Sequence, residues 1–319
     1  MNPNQPAAVT LPPTYKEMLE EIGRQLKERK KSILKRSLLI SWPFILLIAA
    51  SYLFEGAVNF KAFTSEQMVW AIGGLIAYVV LAIIYSGIVR FIFEIEKQIW
   101  IDSYFDKKNL DLKQSWMLAK KLFWSAFKFR LQIALRYYVL PIGLTLLVIA
   151  GGVVAFFTSS PTGDMQSYFV MAIPVVVIVI IVSLFFYGYY LKTKLRYTWF
   201  VFLDKYGSEY TYHSIMDEVD ELNQISKSET FKKSLLVNLG TDSVRGVANM
   251  AVGIIGMGFA QLGGAAGRAV GGVIRMYGQE VARQATDLGN IAAQYILYRF
   301  ARKERFGEEQ VVNENLYTI

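Results

Sequence analysis

The sequence predicts an all-α, multi-pass helical membrane protein with four transmembrane helices and additional cytoplasmic amphipathic helices. Of its 319 residues, 54% are hydrophobic, which exceeds the usual share of a soluble domain. Residues 137–157 and 168–191 form two apolar runs without a charged side chain. At about 1.5 Å per residue, each run is long enough as a helix to cross a hydrocarbon core of about 30 Å. The two runs therefore predict a transmembrane helical hairpin.

The chain before the first apolar run is polar. Residues 1–13 include four prolines and are predicted to form a disordered N-terminal tail. Residues 14–37 are predicted to form a cytoplasmic basic amphipathic helix, which begins where Thr14 and Glu17 have the spacing of a capping box. Basic residues at the end of this helix are typical of a segment that fixes membrane orientation: Arg29, Lys30, Lys31, Lys35 and Arg36.

Residues 38–191 are predicted to form the membrane domain. Its first two spans cover about 38–54 and 69–93, and the hairpin described above supplies the third and fourth spans. Arg90 lies near the end of the second span. Because long basic side chains can extend along apolar surface, we expect Arg90 to reach the lipid headgroups.

The segment 94–136, between the second and third spans, is predicted to be cytoplasmic and contains nine basic and five acidic residues. In its second half, basic and polar residues recur three or four positions apart, and apolar residues fill the rest of the helix circumference. Two interpretations remain open: a basic amphipathic helix on the membrane surface, or a helix packed on its neighbours. In the first interpretation, the basic residues expected to contact anionic lipid headgroups are Lys121, Lys128, Arg130 and Arg136.

The distribution of positive charge predicts the orientation. The arm before residue 38 contains eight Lys and Arg residues, whereas the loops 55–67 and 158–167 contain one and none. Under the positive-inside rule, both termini and the segment 94–136 are cytoplasmic. In a bacterial cell the membrane would be the inner one, because helical spans carry the apolar pattern.

Residues 192–302 are predicted to form a cytoplasmic helical region, followed by a solvated C-terminal tail at 303–319. The segment 246–272 within this region has nine glycines among 27 residues. Its small residues recur every four positions, a pattern typical of close helix packing. The predicted packing residues form two rows, Gly256, Ala260 and Gly264, and Gly263, Gly267 and Gly271.

A fifth span over 247–267 would place seven downstream basic residues outside the cell, against the positive-inside rule. The sequence therefore favours a glycine-rich segment that packs on the cytoplasmic side, dips into the membrane interface, or enters the membrane and returns as a re-entrant hairpin.

The sequence contains no motif for catalysis or for binding a cofactor or metal. The chain has no cysteine and one histidine, His213, so neither a thiolate nor a histidine cluster can be assembled. We therefore expect a non-enzymatic scaffold, assembly or membrane-organising component, acting through glycine-rich helix packing. Its expected partners are the lipid bilayer with its anionic headgroups and a second copy or another membrane protein, but not nucleic acid.

Two alternatives remain. The first is a channel or transporter whose glycine-rich helix lines or gates a path. The second, less favoured, is a lipid-modifying enzyme, which would require Asp102, Asp106 or Asp111 to converge on a pocket.

Overall fold

The computed structural model describes residues 13–57, 64–105, 110–139, 141–143, 145–147, 150–151, 163–206, 211–225 and 227–307. Within these ranges the chain forms helices and turns without strands, so the predicted all-α fold is confirmed. The principal helices are α1 (Tyr15–Ala57), α2 (Ser65–Phe105), α3 (Leu112–Ala134, continued by a π-helical turn at Leu135–Val139), α4 (Gly163–Lys194), α5 (Thr198–Asp204), α6 (Tyr212–Gln224), α7 (Lys227–Gln261) and α8 (Gly264–Phe306).

Four stretches of the described chain are long and apolar enough to contain a membrane span, as expected of a multi-pass membrane protein: Tyr15–Tyr52, Ser65–Phe105, Ile178–Asp204 and Lys227–Gln261. The first three overlap the predicted spans at 38–54, 69–93 and 168–191. The predicted span at 137–157 lies partly outside the described residues, and its described pieces are helical. The fourth stretch enters the glycine-rich segment.

α1 and α2 form an antiparallel pair that continues well beyond the predicted spans. At about 1.5 Å per residue, the 43 residues of α1 extend about 65 Å, roughly twice the hydrocarbon thickness. The pair is held by the Tyr78 hydroxyl, which donates to the Pro43 carbonyl at 2.7 Å, and by an ion pair between Arg36 and Glu96. α1 passes residue 37 without a break, because a change from charged to apolar side chains does not interrupt backbone hydrogen bonding.

The start of α1 agrees with the sequence. The Thr14 amide donates to Glu17 Oε2 at 2.6 Å, and the Glu17 amide donates to Thr14 Oγ1 at 3.3 Å. This reciprocal capping satisfies two amides that the first helical turn leaves free. The predicted capping box is therefore confirmed.

α3 folds back against α2, with one face buried and the opposite face exposed. The buried face includes Leu118, Leu122, Ala126 and Phe129, and Phe129 stacks on Phe202 of α5 with ring centroids 4.9 Å apart. This arrangement matches the second interpretation of the segment 94–136, a helix packed on its neighbours.

We use the term polar bundle for the packed helices outside the predicted spans: residues 15–37 of α1, 94–105 of α2, α3, α5, α6, 227–245 of α7 and 280–306 of α8. Most of the buried apolar core lies in this bundle.

Candidate functional site: a hairpin closed by glycine

α7 and α8 run antiparallel as one long helical hairpin. Its polar half is joined by hydrogen bonds between facing positions. The Ser234 hydroxyl donates to Gln294 Oε1 at 2.9 Å, and Arg245 Nε donates to Thr286 Oγ1 at 3.0 Å. These contacts fix the register of the two helices, so that the glycines of their apolar halves face each other.

The chain reverses direction at Gly263 and Gly264. Gly264 has a φ of +49°, in the left-handed region that glycine adopts without a steric penalty. The turn divides the predicted packing residues between two helices: Gly256 and Ala260 lie on α7, whereas Gly264, Gly267 and Gly271 lie on α8. The predicted row of Gly256, Ala260 and Gly264 is therefore interrupted by the turn, whereas Gly267 and Gly271 remain together on one helix.

Three glycines bring the two helix backbones into close contact. A Cβ atom on Gly256 would lie 2.7 Å from the Gly271 carbonyl oxygen, and one on Gly267 would lie 2.7 Å from the Phe259 carbonyl oxygen. A Cβ atom on Gly271 would clash with the Gly256 carbonyl and lie 3.0 Å from the Ala260 amide nitrogen. Cβ atoms essentially never come within 3.0 Å of a heavy atom outside their own residue and its chain neighbours, so the hairpin at this spacing requires glycine.

α1 lies beside the hairpin along most of its length. A Cβ atom on Gly289 would lie 3.1 Å from Ile22, and one on Gly272 would lie 3.1 Å from Ile48. The guanidinium of Arg268 lies 5.8 Å from the ring centroid of Tyr52. The tip of the hairpin is therefore level with the apolar end of α1, and its base lies in the polar bundle.

The outer side of α7 in this apolar half is a ridge of large exposed side chains. Val247 is 68% exposed, Met250 71% and Ile254 66%. Their spacing of three and four residues places them on one face of the helix, and we call this face the outer ridge. A contiguous exposed apolar surface of this kind is typical of contact with lipid or with another protein.

Charged groups join the base of the hairpin to α2. Arg90 Nη2 lies 2.8 Å from Glu280 Oε2, and the fully buried Lys97 donates to Gln284 Oε1 at 2.7 Å. Lys97 also lies 3.5 Å from Asp287. The expectation that Arg90 extends to the headgroups is therefore wrong: it is held by a carboxylate 190 residues away in sequence.

The basic residues predicted to contact headgroups differ in their surroundings. Lys121 and Lys128 are exposed on α3. Arg130 pairs with Glu94, and Arg136 lies 5.9 Å from the ring centroid of Tyr212.

The acidic residues considered for a lipid-modifying site do not converge where they are described. Asp102 accepts a hydrogen bond from the Tyr295 hydroxyl at 2.8 Å. Asp111 instead caps α3 by accepting from the Lys113 and Gln114 amides, and Asp106 lies outside the described residues.

Comparison of the chain with models of protein families, with curated proteins and with solved structures finds no match.

Proposed function

We propose that this chain is a non-enzymatic membrane protein that acts as a scaffold or assembly component, and that the apolar half of the α7–α8 hairpin inserts into the membrane. There its outer ridge meets the same ridge of a second copy. The observation that carries this proposal is the exposure of Val247, Met250 and Ile254 on a hairpin whose inner glycines are already used for its own closure.

Two further glycines support assembly at this ridge. A Cβ atom on Gly246 or on Gly253 would meet nothing within 4 Å, so packing within the chain does not require either glycine. Glycine costs up to about 1 kcal/mol relative to alanine inside a helix. Small residues seven positions apart beside the outer ridge would allow a second helix to approach closely, which is how helices associate in lipid.

Cysteine crosslinking in membranes tests this proposal, because the chain has no cysteine of its own. We expect Met250→Cys to form a disulfide-linked dimer under mild oxidation. Asp217→Cys, at an exposed position of α6 in the polar bundle, is the control and should remain monomeric. Adding Gly253→Leu to Met250→Cys should abolish the dimer, since the larger side chain holds the helices apart.

Absence of the Met250→Cys dimer, together with a monomeric mass in lipid nanodiscs, would refute assembly at this surface. Ion flux through liposomes that contain the protein, if lost with Gly253→Leu, would favour the channel hypothesis instead.

A further inference from the structure

A cleft with several charged side chains in its lining opens where the polar bundle meets the predicted spans. It consists of two adjoining cavities of about 280 and 440 Å³, which share Glu94, Gln98 and Lys192 among their lining residues. Glu94 directly follows the second predicted span, and Lys192 directly follows the fourth. The cleft therefore lies at the level where these spans would leave the bilayer.

The side chains around the cleft carry an excess of positive charge. Its carboxylates are Glu94 and Asp287, with Asp242 bound to Lys192 at 3.0 Å beside them. Against these three acids stand six basic residues, Lys97, Arg130, Lys192, Arg196, Arg245 and Arg283. A partly enclosed site with such an excess concentrates the field of its charges and attracts anions.

Arg196 is a basic residue of the cleft that is buried with an incomplete set of hydrogen bonds. Arg196 is only 7% exposed. Nη2 donates to Thr230 Oγ1 at 3.1 Å, whereas Nε and Nη1 are buried without a hydrogen-bond partner. A buried charged group with unsatisfied donors is costly, and an anion bound at the cleft could accept from them.

Gln98 adds an acceptor to the same cleft. Its Oε1 is buried without a hydrogen-bond partner, and Gln98 lines both cavities. The cleft thus combines unsatisfied donors on a cation with an unsatisfied neutral acceptor. A phosphate accepts hydrogen bonds from a guanidinium. A hydroxyl on an organic substituent of that phosphate could donate to the amide oxygen of Gln98.

We propose that this cleft binds a phosphate that carries a hydroxylated substituent, with Arg196 as the buried anchor and Lys192 and Arg283 at the entrance. An anionic phospholipid with a glycerol headgroup and a soluble glycerol phosphate share this chemistry. The site is independent of the outer ridge, so it goes beyond the proposed role in assembly.

The test measures binding of two probes to the full-length protein in a neutral detergent. One probe is short-chain phosphatidylglycerol, with phosphatidylcholine of the same chain length as its control, and the other is glycerol 1-phosphate. We expect phosphatidylglycerol to bind and phosphatidylcholine to bind at least tenfold more weakly. Arg196→Gln should weaken phosphatidylglycerol binding at least tenfold. Arg305→Gln, a change at a residue half exposed on α8 and outside the cleft, should leave it unchanged.

Arg283→Gln provides a second variant in case Arg196→Gln does not fold. Arg283 is 38% exposed and lies 3.9 Å from its nearest carboxylate oxygen, on Asp287, so its replacement should weaken binding several-fold without affecting the fold. Binding of phosphatidylglycerol alone assigns the site to lipid. Binding of glycerol phosphate with the same dependence on Arg283 assigns it to a soluble ligand.

Failure of both probes to bind, or binding that neither variant weakens, would overturn the proposal. Gly253→Leu separates this result from the assembly proposal, since it should abolish the crosslinked dimer and leave phosphate binding intact.

Discussion

Gly256 and Gly271 face each other across the α7–α8 hairpin so closely that a Cβ atom on Gly256 would lie 2.7 Å from the Gly271 carbonyl oxygen. The glycines of the 246–272 segment therefore differ in their roles. Gly256, Gly267 and Gly271 close the hairpin, Gly264 allows its turn, and Gly253 faces open space. This difference can be tested by the same substitution at two positions on one helix.

We predict that Gly256→Ala destabilises the protein and that Gly253→Ala does not. The methyl group at Gly256 must force the helices apart, and such overpacking costs about 1–3 kcal/mol. At Gly253 the methyl group meets nothing within 4 Å, and alanine is the better helix former by up to about 1 kcal/mol. Thermal unfolding in detergent should show a lower midpoint for Gly256→Ala alone. Equal midpoints for the two variants would contradict the role assigned to Gly256.

Parts of this fold were predictable because they depend on neighbours in sequence. The capping of α1 by Thr14 and Glu17 needs two residues three positions apart, and the spans need only an apolar run of sufficient length. A re-entrant hairpin was among the predicted arrangements, but the position of its turn at Gly264 was not predicted, because the four-residue spacing of small residues runs through it without interruption. Helical periodicity alone cannot show that a glycine has left the helical conformation.

The cleft and the anchoring of the hairpin could not be predicted for a different reason. Arg90 meets Glu280 and Arg36 meets Glu96 only because α8 and α1 pack against α2, at separations of 190 and 60 residues. A basic residue near a predicted membrane boundary has the same sequence context whether it reaches the headgroups or a buried carboxylate. Only the packing of the helices distinguishes these outcomes.

We predict that removing the carboxylate of Glu96 is far more damaging than removing an exposed one. Arg36 makes two hydrogen bonds of 3.0 Å to the fully buried Glu96. Glu96→Ala would leave the guanidinium buried without its counter-ion, at a cost of about 3–5 kcal/mol. Glu221→Ala is the matched control, because Glu221 pairs with Arg305 where both side chains are about half exposed, and such pairs contribute at most about 1 kcal/mol.

The two variants should be compared by denaturant unfolding under identical conditions. A loss of stability for Glu96→Ala no larger than that for Glu221→Ala would show that the buried pair does not support the fold.

We predict that exchanging the charges of Arg90 and Glu280 together recovers part of the stability that is lost when either charge is reversed alone. Arg90→Glu places two carboxylates together at the base of the hairpin, and Glu280→Arg places two guanidinium groups there. The double variant restores opposite charges, but only partly restores stability, because Gln284 also donates to Glu280. A double-mutant cycle on thermal midpoints measures the coupling. Additive losses in the double variant would show that the two residues do not interact.

We predict that the stability of the polar bundle falls as the pH rises from about 5 to about 8, because of Asp204. This residue lies on α5, beyond the turn that ends α4 and outside the predicted span. Burial, followed by the charge of Asp102, raises the pKa of Asp204 to about 8 from an ordinary value of 3.8. The folded protein therefore retains a proton that the unfolded chain releases, and linkage requires that stability decreases across this interval.

Asp204→Asn should remove this pH dependence, because the amide does not titrate and its oxygen can still accept from Arg302 Nη1, which lies 2.9 Å from Asp204 Oδ2. Burial, followed by the charge of Asp204, also raises the pKa of Tyr298, so the tyrosine remains protonated and does not contribute over this range. Thermal midpoints of the unsubstituted protein and of Asp204→Asn should be measured between pH 5 and pH 9. They should converge at the acidic end, where Asp204 is protonated and therefore uncharged like asparagine. A pH profile that is unchanged in Asp204→Asn would instead assign the titration to another group.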